Sequence, residues 1–211
     1  MFFDSHAHLN NEMSDEARAA MVRAIEDSEL DYVMDIGFDL PSSKLAVDHA
    51  AKYPWCYAAV GCHPHDTDSM DDMQLALIKG LAKKKKVMAI GEIGLDFHYD
   101  HSPRDVQREW FRRQIRLANE LKMPIAIHSR EADQEVLDIL KEEGAFSDER
   151  KSWFPERPDT TGYVSKQPGT CKDARVLLHC FSGSAELGSQ YVKLGATISI
   201  AGPVTYKNNR K

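Results

Sequence analysis

Short apolar, strand-like runs alternate with stretches of helical periodicity along the whole chain, and that alternation constrains its fold more than any other feature. The pattern predicts a strand at Met1–Phe3, a helix over Ser14–Glu29, a strand at Tyr32–Ile36 and a helix capped by Ser42 that stops before Pro54. Strand three, Cys56–Val60, precedes a helix near Met70–Lys85 and a fourth strand at Val87–Ile90. The next helix has Ser102 at its N-cap, Pro103 in first position and Asp105 in third, and runs to Leu121. Strands at Pro124–Ile127, Val176–Leu178 and Ala196–Ile200 follow, with helices at Glu131–Glu142 and Ser184–Leu194, the latter stopped by Gly195. Several strands are apolar without alternation, as strands covered on both faces should be. The expected class is α/β: a TIM-type (β/α)8 barrel with seven of its eight strands present.

Residues 1–211 read as one domain. The exception to its compact rhythm is a polar insertion at 147–172, rich in Pro, Gly, Ser, Thr and charge, which joins a helix to the next strand. Such a connection lies on the barrel face opposite an active site, so the segment is expected to be a mobile loop or a subunit contact. On that face, Trp153, Phe154 and Tyr163 are not a base-stacking platform. The net charge of -6 excludes bulk attraction to nucleic acid, so such a substrate would need local positive charge, which bound metal ions supply. Cys56, Cys62, Cys171 and Cys180 form no Cys-x-x-Cys pair and read as free thiols of a reducing compartment. With no basic leader and no membrane-length apolar run, a soluble cytoplasmic protein is expected.

The chemistry lies at the strand ends. Asp4-Ser5-His6-Ala7-His8 puts two imidazoles on one side of a strand, where they can grip one metal ion. Glu92, His128 and His179 end later apolar runs, where a barrel presents them to the same point. Five such residues including a carboxylate suggest two metals sharing Glu92 as a bridge. Asp4 reads as a supporting partner of the His pair, and Asp96 as a residue able to orient a ligand. Phe97, His98, Tyr99 and His101 sit in a loop on the active side, suited equally to stacking an unpaired base and to ordinary packing. Lys83–Lys86 ends a helix on the other face and is read as structural.

The motifs DSHAHLN, GCHPHD, GEIGLDFHYD, HSREA, HCFSGS and GPVTYKN run in order over nearly the whole chain. In this the chain resembles the TatD family of metal-dependent deoxyribonucleases, within the amidohydrolase-like barrels. The resemblance implies that His6 and His8 bind one divalent ion, that Glu92 bridges, and that His128 and His179 bind a second, the ions being Mg²⁺, Mn²⁺ or Zn²⁺. It implies contacts from His63 and Arg130 to the scissile phosphate; a guanidinium can pair two phosphate oxygens. The implied activity is phosphodiester hydrolysis through a metal-activated water, trimming single-stranded DNA from the 3′ end.

The family pattern continues past Lys211 into an eighth strand and a C-terminal helix, and that strand carries an aspartate that serves as general base. No residue after Lys207 replaces it, and Asp173 lies in the polar stretch, so no catalytic base is assigned in this chain. A truncated product, an eighth strand from another chain and a rearranged end are the alternatives. Two other functions stay open: hydrolysis of small-molecule or aminoacyl-tRNA esters on the same barrel, and a non-catalytic metal- or partner-binding remnant.

Overall fold

A computed structural model describes residues 2–207, so Met1 of the first expected strand and Asn208 of the last motif lie outside it. Seven parallel strands form one sheet: β1 (Phe2–Ala7), β2 (Leu30–Ile36), β3 (Cys56–Val60), β4 (Val87–Asp96), β5 (Ile125–Arg130), β8 (Val176–Leu178) and β9 (Thr197–Ile198). Helices α1 (Asp15–Glu26), α2 (Leu40–Lys52), α3 (Asp72–Ala82), α4 (Arg104–Leu121), α5 (Asp133–Glu142) and α7 (Ala185–Leu194) connect them. The insertion folds as α6 (Asp148–Ser152) and an antiparallel hairpin of β6 (Arg157–Asp159) and β7 (Gly169–Cys171), where a plain loop was expected. The sheet curls into a barrel open between β1 and β9, and across the opening the hydroxyls of Ser5, on β1, and Ser199, just past β9, form a 3.4 Å hydrogen bond. The main core lies between β3, β4, β5 and β8 and the helices packed on them, with Ile90, Ile93, Phe111, Ile115, Ile127 and Leu140 at its centre.

Local chemistry explains most boundaries. Ser14 caps α1 by accepting from the Ala17 N–H, and Ser184 caps α7 by accepting from Leu187. Gly195 ends α7 at φ 95°, the left-handed region where glycine is unstrained. Two expected caps differ. Ser42 is the third residue of α2 and Asp39 the cap, each bonding the other's backbone N–H in a capping box. Ser102 does not cap α4 because its hydroxyl donates to the His65 carbonyl at 2.8 Å and accepts from the Asp68 N–H at 3.0 Å. Pro103 occupies the cap position instead.

Strand β4 runs to Asp96, well beyond the Ile90 expected from its apolar run. Gly94 permits this: a Cβ there would collide with the His128 carbonyl, so only glycine lets β4 lie this close to β5. Two buried glutamines of α4 then fix the neighbouring strand ends. Gln114 accepts from the Cys62 N–H and donates to the Cys62 carbonyl, and Gln107 does the same for Asp96. An apolar cavity of about 660 Å³, lined by residues such as Phe3, Tyr32, Met34, Tyr57 and Leu177, lies within the curled sheet, and none of the histidines borders it.

Candidate metal centre

β1 carries His6 and leads directly into His8, and the two Nε2 atoms are 3.2 Å apart. The Ile36 carbonyl can only accept, so His8 donates Nδ1–H to it at 2.9 Å and turns Nε2 toward the site. Asp4 accepts from the His6 backbone N–H at 3.0 Å; it braces the strand rather than an imidazole.

Glu92, on β4 and only 4% exposed, lies between two sets of histidines. Its Oε2 is 3.3 Å from His6 Nε2 and 3.8 Å from His8 Nε2. Its Oε1 is 3.0 Å from His128 Nδ1 and 3.9 Å from His63 Nε2. Its backbone N–H donates to the Gly37 carbonyl at 2.7 Å, tying β4 to the end of β2. Burial alone would raise its pKa, but hydrogen bonds from His128 and His6 hold the carboxyl well below the usual range. His6, His8 and Glu92 form one group able to hold a cation, and His63, Glu92 and His128 a second.

The imidazoles differ in charge. Burial, reinforced by His128 and His65, pushes His63 down to about 3. Burial and the neighbouring His6 push His179 down to about 4. Both are neutral at pH 7. His128 is the reverse: burial opposes its charge, but hydrogen bonds to Asp96 and Glu92 outweigh that and raise it to about 9. Its Nε2 is 3.1 Å from Asp96 Oδ2, which also takes a 2.9 Å hydrogen bond from His65 Nε2. Asp96 is wholly buried and held well below the usual carboxylate range by those contacts, against the effect of burial.

Of the residues expected to converge, His6, His8, Glu92 and His128 do so. His179 stands beside them, outside both groups, its ring stacked on His6 with centroids 3.3 Å apart. His63 lies within the second group, but its Nδ1 accepts from the His65 N–H at 3.1 Å. Its single proton is therefore on Nε2, which makes that atom a donor. The Arg130 guanidinium lies 4.5 Å over the Tyr99 ring. A cleft of about 590 Å³ opens over Glu92, lined by His8, Asn11, Phe38, His63, His65, Asp66 and His101. The sequence assigned no role to Asn11, Phe38, His65 or Asp66 of this lining, although His65 and Asp66 are part of the GCHPHD motif.

The donor set fits divalent metal: imidazole nitrogens around a shared, ionised carboxylate. The nitrogens that face that carboxylate are His6 Nε2, His8 Nε2 and His128 Nδ1.

The sequence profile of a family described as "TatD related DNase" matches residues 3–211. An uncharacterized metal-dependent hydrolase, YabD of Bacillus subtilis, is 39% identical over 211 residues, covering 100% of this chain and 72% of that protein. The 3′-5′ ssDNA/RNA exonuclease TatD of Cronobacter sakazakii is 28% identical, covering 95% of this chain and 66% of that protein. The crystal structure of YJJV, a TatD homologue from Escherichia coli K12, superposes with a TM-score of 0.76 at 23% identity, covering 97% of this chain and 70% of that one. The chain thus spans about two thirds to three quarters of the length of these relatives.

Proposed function

The chain belongs to the TatD-related DNase family of metal-dependent hydrolases, and from that premise we propose that it hydrolyses phosphodiester bonds of single-stranded DNA, trimming from the 3′ end. The observation that carries the reading is Glu92, whose two oxygens face separate sets of histidines as those of a bridging carboxylate must. The name of the Cronobacter relative, a 3′-5′ ssDNA/RNA exonuclease, supports the choice of substrate.

His6, His8 and Glu92 would hold one divalent ion, and Glu92, His128 and His179 the other; His179 is close at hand, stacked on His6. When bound, the pair supplies positive charge for the phosphate oxygens and lowers the pKa of water. The chain's own residues do the rest. His8 offers Nε2 because Nδ1–H is given to Ile36. His128 must lose the Nδ1 proton it shares with Glu92 in order to ligate, while Asp96 keeps hold of Nε2–H. His63 stays neutral with its proton on Nε2, a donor suited to a non-bridging phosphate oxygen.

A 5′-labelled single-stranded oligonucleotide incubated with Mg²⁺ or Mn²⁺, or with chelator, tests this. The expected result is a ladder shortening from the 3′ end that chelator abolishes. A metal-loaded chain that leaves the strand intact would overturn the reading.

A further inference from the structure

The loop from β4 to α4 carries an aromatic column that the proposed chemistry does not use. Tyr99 is 50% exposed, with the Arg130 guanidinium 4.5 Å over its ring. The His101 ring runs parallel to it, at an interplanar angle of 11° and a centroid distance of 5.4 Å. His65 meets both rings edge-on, at 5.5 Å and 4.7 Å. His101 in turn lines the cleft over Glu92.

The loop is held rigidly. Asp96 Oδ1 accepts from the N–H groups of His98 and Tyr99, both at 3.0 Å. Asp100, at φ 51°, clamps Arg104 with both carboxylate oxygens at 2.7 Å, and Arg104 also donates to the Phe97 carbonyl. A connection that needed only to pack would turn its aromatic rings inward, and Phe97 does so against the core. Tyr99 is left outside on a fixed scaffold.

Charge points the same way. Arginines 104, 108, 112, 113 and 116 of α4 each pair with a carboxylate. Arg130 forms no ion pair among the described residues, which leaves its charge for the Tyr99 ring and for an approaching anion. Flat rings backed by an unpaired guanidinium, beside a cleft suited to a phosphate, match the two parts of a nucleotide.

The geometry points to the Tyr99–His101 column, backed by Arg130, as the seat of an unpaired nucleobase next to the scissile phosphate. The inference rests on the nucleic-acid reading of the site and adds to it what selects single strands: a base held in a duplex must break its pair before it can turn onto these rings.

The test uses the full chain and two 5′-fluorescein-labelled deoxythymidine oligonucleotides, one intact and one with abasic tetrahydrofuran at its last two positions. Binding in Ca²⁺ is followed by fluorescence anisotropy. The wild type is expected to prefer the intact strand by about tenfold. Tyr99→Ala should bind both strands equally, and Tyr99→Trp should restore the preference. If Tyr99→Ala does not melt cooperatively, His101→Ala is held to the same criterion. Equal wild-type affinity for the two strands, binding of neither, or a folded alanine variant that keeps the preference would each overturn the inference. A wild type that prefers the intact strand but never cuts DNA would support the seat and sink the proposed function. Cutting without the preference would do the reverse.

Discussion

A carboxyl group as buried as Glu92 ordinarily gains a proton, because burial penalises its charged form. Here histidines on both sides keep it ionised, so the floor of the cleft is a fixed negative charge shared between two sets of nitrogen donors. Asp96 is the counterpart one layer out. One of its oxygens orients both His65 and His128, and the other caps the loop that carries Tyr99. Asp96→Asn replaces one acceptor oxygen with a donor and sets it against an imidazole. Calorimetric Mn²⁺ titration should show affinity reduced roughly 10–100-fold with the fold retained. Unchanged affinity would show that Asp96 does not position the site.

Elements place these side chains by contacts the sequence pattern did not reveal. Gln107 and Gln114 look like surface residues of an amphipathic helix, yet both are buried and hold strand ends. Arg150 of α6 is the extreme case. It is wholly buried, and its bonds go to the Ala174 and Met123 carbonyls and to Asn119 Oδ1, none of them a carboxylate. Burial pushes its pKa down to about 10. Arg150→Met removes the donors and strands three acceptors, so urea unfolding should show a loss of about 3 kcal/mol or more. An unchanged unfolding midpoint would mean that the Arg150 hydrogen bonds contribute nothing to stability.

The same contrast marks what could be read in advance. Strands two to five and the helices between them were legible because their apolar runs and periodicity are long, and the motif histidines lie where those runs end. The hairpin in the insertion was not legible. Its turn is organised by Asp159, which accepts from the N–H groups of Tyr163, Val164 and Ser165, and such side-chain bonds leave no hydrophobic period. Nor could spacing reveal that Arg130 turns onto Tyr99, since that contact depends on how the β4–α4 loop folds back.

At the scale of the molecule, the site is where distant parts of the chain meet. His6 and His8 come from the first edge of an open sheet, His179 follows β8 near the other edge, and Glu92 and His128 lie between. Among the described residues β1 and β9 are not paired as strands, so the sheet does not close on itself. Ions held in common by these residues would cross-link strands across the opening, so metal should stabilise the whole fold as well as supply its chemistry. Glu92 is the member both ions would share. Calorimetric titration of the metal-stripped chain with Mn²⁺, wild type beside Glu92→Gln, tests this most directly. The account predicts two ions per wild-type chain and loss of tight uptake at both positions in Glu92→Gln. Wild-type uptake by that variant, or no uptake by the wild type, would contradict it.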